Sequence, residues 1–157
     1  MTPDIGLGNW IAQRARRAAT RKALIFEGRT WTYAELMRDI DQLAGLLRAR
    51  GVERGTRVAF LGLNQPTFLI GLFATARLGA AFVPLNFRLT GPELSLIVND
   101  CGAQVLIADA AHRPVIDSVR GELATVREFM TVGDAVDGWR SVEEAAEPIA
   151  EGVTVDP

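Results

Sequence analysis

A chain of 157 residues is domain-sized, long enough to bury about two thirds of the surface that its unfolded form exposes. Its 48% apolar and 23% charged residues, with a formal net charge of −2, argue against a disordered chain and a dedicated nucleic-acid binder and imply no bulk electrostatic partner. Lys22 is the only lysine, so any chemistry that needs one has a single candidate here.

Met1 to Trp10 lacks the basic start and apolar run of a signal peptide, and Cys101, the only cysteine, leaves no internal disulfide; both point to the cytoplasm. Cys101 itself reads as a small apolar residue near a helix end. Trp10 to Ala18 is predicted as a helix, with Arg14, Arg16, Arg17, Arg21 and Lys22 on or just after it. This cluster reads as a solvated face whose cations suit the helix C-terminus; contact with a membrane surface or a phosphate is the alternative. Ala23 to Phe26 and Arg29 to Thr32 form a hairpin around Glu27-Gly28. Thr32 and Glu35 have capping-box spacing, followed by an apolar face of Tyr33, Leu36, Met37, Ile40, Leu43, Ala44 and Leu47. The opposite face carries Arg38, Asp39, Asp41, Gln42 and Arg48, and the two aspartates read as solvated.

From Gly51 the pattern alternates. Strands are predicted at Arg57 to Leu61, Ala81 to Leu85, Gln104 to Ala108 and Val126 to Val132, with helices at Pro66 to Leu78, Gly91 to Asp100 and about Ala110 to Arg120. Alternation of this kind gives an α/β fold, a parallel sheet with flanking helices, beside the small N-terminal hairpin. Gly79 reads as the left-handed residue just past a helix end, and Thr90 to Glu93 as a second capping box. Phe68 to Leu78 is apolar almost all round but too short to span a bilayer; a helix needing cover on most sides suggests a homodimer. Polar residues gather after the strands: Asn64 and Gln65, Asn86 and Arg88, Asp109. Asn64 and Asp109 read as N-caps. Residues 1–132 thus form one α/β segment and 133–157 an acidic connecting segment, in which Ser141 to Glu144 suggests a short capped helix.

Catalytic groupings are sparse. His112 is the only histidine, which disfavours a metal centre or a Ser-His-Asp triad, and it reads as a surface residue at a helix start. Neither Gly-x-Gly-x-x-Gly nor Gly-x-x-x-x-Gly-Lys occurs.

Three pieces in order carry a family resemblance: Thr30 to Leu36, Asn64 with Phe68-Leu69, and Arg77 to Leu94. The last resembles the "RxGAxxVPLNxRLxxxEL" stretch of acyl-CoA synthetases, members of the adenylate-forming, AMP-binding family, over a region covering roughly Leu7 to Val132. The resemblance implies an enzyme that activates a carboxylate with ATP and Mg2+ as an acyl-adenylate and passes the acyl group to coenzyme A. It also implies that the Ser/Thr/Gly-rich phosphate loop and the catalytic lysine lie beyond residues 133–157, so that this chain is the N-terminal part of a longer ligase, inactive alone and without a cofactor of its own. No catalytic residue is then expected here, and Asn86 and Arg88 are the cofactor-binding candidates, Arg88 as a cation for phosphate oxygens. Val83 to Arg88 differs from the "VPIDPxYP" of amino-acid-activating relatives, which favours a fatty or other carboxylic acid as substrate. The alternatives are a non-catalytic dimerisation or docking module built from the same half-domain, and a small Rossmann-like nucleotide binder.

Overall fold

A computed structural model describes residues 6–149, so the first five residues and the last eight of the expected acidic segment 133–157 lie outside the described residues. These residues divide into two compact units, one holding 6–54, 65–80 and 145–149, the other 55–64 and 81–144.

In the first unit a 3-10 turn at Leu7–Asn9 leads into α1, Trp10–Ala18. Strands β1, Lys22–Phe26, and β2, Arg29–Thr32, pair antiparallel as the turn residues predict, with positive φ at Glu27 and Gly28. The capping box forms at the start of α2, Tyr33–Ala49: the Glu35 N–H donates to Thr32 Oγ1 at 3.2 Å and the Thr32 N–H donates to Glu35 Oε2 at 2.8 Å. The helix then buries Leu36, Ile40, Leu43, Ala44, Leu46 and Leu47. Helix α3, Pro66–Arg77, opens with proline in its first turn; its N-cap is Gln65, without a side-chain bond, so Asn64 is not the cap expected there. It closes on Gly79 at φ 66, where the Gly79 N–H donates to Ala76 O and the Ala80 N–H to Thr75 O. That pairing satisfies carbonyls that the helix end leaves open.

Asp41 departs from its expected solvated role. Its Oδ1 lies 2.9 Å from Arg77 Nη2, whose side chain is only 5% exposed, and Arg77 Nη1 also donates to Asn9 Oδ1 at 3.3 Å. A guanidinium buried between helices requires a carboxylate, and α2 supplies it.

The second unit is a five-stranded parallel sheet in the order β4-β3-β5-β6-β7, with β3 Arg57–Leu61, β4 Ala81–Leu85, β5 Val105–Ala108, β6 Glu128–Thr131 and β7 Arg140–Ser141. Pro84 sits on the edge strand β4, where a missing N–H leaves no ladder partner wanting. From β3 and β5, Ala59, Leu61, Leu106 and Ala108 pack with Leu94 and Val98 of α4, Gly91–Cys101, and Ile116 of α5, Arg113–Asp117. Helix α5 is shorter than expected because residues 109–112 form a turn tied to the Asp109 carboxylate. The helix expected at Ser141 to Glu144 is absent: Arg140 and Ser141 pair with Met130 and Thr131 as β7. Beside it Trp139 is buried, its Nε1 donating to Asp117 Oδ1 at 2.9 Å and its ring edge-on to Phe129. The architecture is therefore the expected parallel α/β sheet with flanking helices and a separate two-stranded hairpin. Among the described residues, no helix is long and apolar enough to cross a membrane.

Candidate functional site

Strands β4, β3 and β5 are adjacent and parallel, so the loops after them leave the sheet at one edge, the carboxyl edge where open α/β sheets bind ligands. Those loops hold Gly62 to Asn64, Asn86 to Thr90 and Asp109 to His112.

The β4 loop is shaped by its own residues. Asn86 Oδ1 accepts the Arg88 N–H at 3.0 Å, and the Leu89 N–H donates to Asn86 O at 3.1 Å, so asparagine folds the chain back on itself. Helix α4 follows at once, where Thr90 N–H and Oγ1–H both donate to Glu93 Oε2 at 2.8 Å; these bonds hold the Glu93 carboxyl below its ordinary pKa. A loop pinned at both ends presents an exposed Arg88, whose guanidinium sits 5.3 Å from the Phe87 ring and has no carboxylate partner among the described residues. Such a cation suits phosphate oxygens.

The structure also joins residues that sequence reasoning kept apart. Asp109 Oδ2 accepts the Leu63 N–H of the β3 loop at 3.1 Å, and Asp109 Oδ1 accepts the His112 N–H at 3.0 Å. The same Oδ1 lies 2.6 Å from His112 Nδ1, and the two side chains are only 14% and 16% exposed, so His112 is not the surface residue expected. Its ring stands edge-on to Phe87 at 5.7 Å. A carboxylate held against Nδ1 fixes the ring and leaves Nε2 as the free nitrogen. The carboxylate leaves no room for a larger residue at Gly62, where a Cβ would lie 2.7 Å from Asp109 Oδ2. The Asp-x-x-His spacing directly after a buried strand was the available signal.

The arrangement can orient a cation and an aromatic ring beside a fixed imidazole. Among the described residues, no group of three or more His, Cys, Asp or Glu is placed to hold a metal ion. Asn86 and Arg88, the two residues singled out for cofactor binding, do share one loop, with Asn86 shaping it and Arg88 exposed.

A family model described as AMP-binding enzyme matches residues 11–156. The feruloyl-CoA synthase of Amycolatopsis sp is 49% identical over 111 residues, 71% of this chain and 23% of that protein. The indoleacetate–CoA ligase of Aromatoleum aromaticum is 40% identical over 151 residues, 96% of this chain and 29% of that protein. Among solved structures, the Mycobacterium tuberculosis fatty acyl CoA synthetase superposes with a TM-score of 0.81 at 32% identity, covering 90% of this chain and 28% of the other. The chain thus spans under a third of the length of these relatives.

Proposed function

The chain belongs to the AMP-binding enzyme family, and on that premise we propose that it forms the N-terminal part of an ATP-dependent acyl-CoA synthetase, an acid–thiol ligase. The observation that carries this reading is the family match over residues 11–156, joined to an exposed arginine on a pinned loop at the carboxyl edge of the sheet. In the whole enzyme ATP and coenzyme A are substrates: the carboxylate is activated as an acyl-adenylate with release of pyrophosphate, and the coenzyme A thiol then displaces AMP. Magnesium accompanies ATP. Within this part of the chain Arg88 binds a phosphate of coenzyme A or of the nucleotide, and Asn86 holds the loop that aims it. None of the described residues performs the chemistry, and residues 133–157 lead toward the segment that does.

The substrate is a fatty or other carboxylic acid. Relatives named for feruloyl, indoleacetyl and fatty acyl groups support that breadth. A cytoplasmic location accords with the lone, unpaired Cys101. Self-association as a homodimer is supported by α3, whose Phe68, Leu69, Ile70 and Leu72 are only partly buried. Sedimentation of the chain at high concentration should then show a dimer, and a clean monomer would remove that part of the reading.

The deciding experiment is exchange of labelled pyrophosphate into ATP by the chain with its native continuation, assayed with ferulate, indoleacetate and fatty acids of increasing length. Exchange dependent on one of these acids is expected. Exchange with none of them, in well-folded protein, would leave the non-catalytic docking module as the better account.

A further inference from the structure

The basic run near the start of the chain lies in the first unit and supplies none of the residues of the candidate site. No acidic residue occurs from Gly6 to Phe26, while Arg14, Arg16, Arg17, Arg21 and Lys22 crowd together in a chain whose net charge is −2. Arg16 and Arg17 lie in the last turn of α1, where the helix dipole welcomes cations. Arg21 and Lys22 lie past that helix, and with Arg14, Thr20 and Tyr33 they line an open surface cavity of about 500 Å³.

The cavity has a fixed frame. Arg21 N–H donates to Ala18 O, Tyr33 N–H to Arg21 O and Ala34 N–H to Ala19 O, each at 3.0 Å, which ties the turn after α1 to the first turn of α2. The Arg14 guanidinium sits 5.8 Å from the centre of the Tyr33 ring. Among the described residues no carboxylate stands within ion-pair distance of Arg14, Arg21 or Lys22, whereas Arg77 and Arg120 each have one and Arg140 has two. Three exposed cations lining one cavity repel one another, and a multivalent anion relieves that repulsion while accepting hydrogen bonds from the guanidinium forks, the ammonium and the two hydroxyls.

We propose that this cavity binds a phosphate-bearing anion, a function separate from the ligase reaction. The same chemistry is offered by a polyphosphate in solution and by the headgroups of an anionic lipid surface. The site reads charge and not a base, so AMP, with a single phosphate, binds more weakly than a linear polyphosphate.

Calorimetric titration of the full 157-residue chain with inorganic tripolyphosphate, beside co-sedimentation with phosphatidylglycerol vesicles and with phosphatidylcholine vesicles, separates the two sources. Saturable binding is expected in at least one of the two anionic arms: tripolyphosphate alone marks a soluble ligand, and phosphatidylglycerol without phosphatidylcholine marks a lipid surface. The Arg14→Gln/Arg21→Gln/Lys22→Gln variant should weaken binding about tenfold or more, and Arg127→Gln, the same kind of charge change elsewhere, less than about twofold. Lys22→Gln alone, which leaves the Arg14–Tyr33 contact intact, should show a partial loss with an unchanged melting temperature. Absence of binding in both anionic arms, a triple variant that binds as tightly as the parent, or an equal loss in Arg127→Gln and Lys22→Gln would each overturn the proposal.

Discussion

Arg77 precedes β4 in the sequence and Arg88 follows it, and the two have opposite fates. Arg77 is buried against Asp41 and Asn9, so it belongs to the scaffold, whereas Arg88 is exposed on a loop that Asn86 shapes without it. Replacing Arg88 by alanine removes only its exposed contact with the Phe87 ring and should shift unfolding free energy by less than about 1 kcal/mol. In the ligase with its native continuation the same change should raise the KM for coenzyme A or for ATP about tenfold, the worth of one charge-assisted contact. Unchanged KM values for both substrates would exclude Arg88 from binding. At this scale the sequence was only half legible. Arg88 stands out beside Asn86 in a short polar loop, but Arg77 looks like a polar interruption of an apolar helix because its partner Asp41 lies on another element. The Asp109–His112 contact was hidden for a different reason: the same carboxylate also does a cap's work on the His112 N–H, and that simpler role accounted for the residue.

Elements were most legible where a local side chain marks their ends. Both capping boxes, Thr32 with Glu35 and Thr90 with Glu93, form as spaced, and Gly79 takes the left-handed conformation its position requires. Strand β7 was not legible, since a two-residue strand has no period, and Trp139, which anchors it, is isolated among acidic residues. The boxes also set a pH dependence. Hydrogen bonds from the backbone and hydroxyl of Thr32 lower the pKa of Glu35, and those of Thr90 lower that of Glu93. A carboxyl group whose folded pKa lies below its unfolded value contributes stability above the unfolded pKa and loses it as pH falls through the folded one. Melting temperature should therefore fall as pH drops below about 4.5, and the Glu35→Gln/Glu93→Gln variant should show a shallower fall. An acid limb of unchanged slope would mean that other carboxyl groups dominate it.

At the scale of the whole chain, the segment after β7 returns to a helix formed far earlier in the sequence. Ile149 is buried and its N–H donates to Asp41 O at 3.3 Å, while a Cβ on Gly45 would overlap the Glu147 carbonyl oxygen and come within 3.3 Å of the Pro148 Cα. Gly45 sits in mid-helix, where alanine ordinarily stabilises by about 0.5–1 kcal/mol, so its glycine is explained by the close approach of residues 147–148 and not by helix propensity. Two opposed terms then decide the sign of Gly45→Ala. With the segment in place the overlap forces backbone to move, at a cost of about 1–3 kcal/mol that outweighs the propensity gain. In a chain ended at Glu144 the overlap is gone and only the gain remains. Gly45→Ala should accordingly lower the denaturation midpoint of the full chain and raise that of the shortened one. The same sign in both would show that residues 145–149 do not dock on α2 in solution.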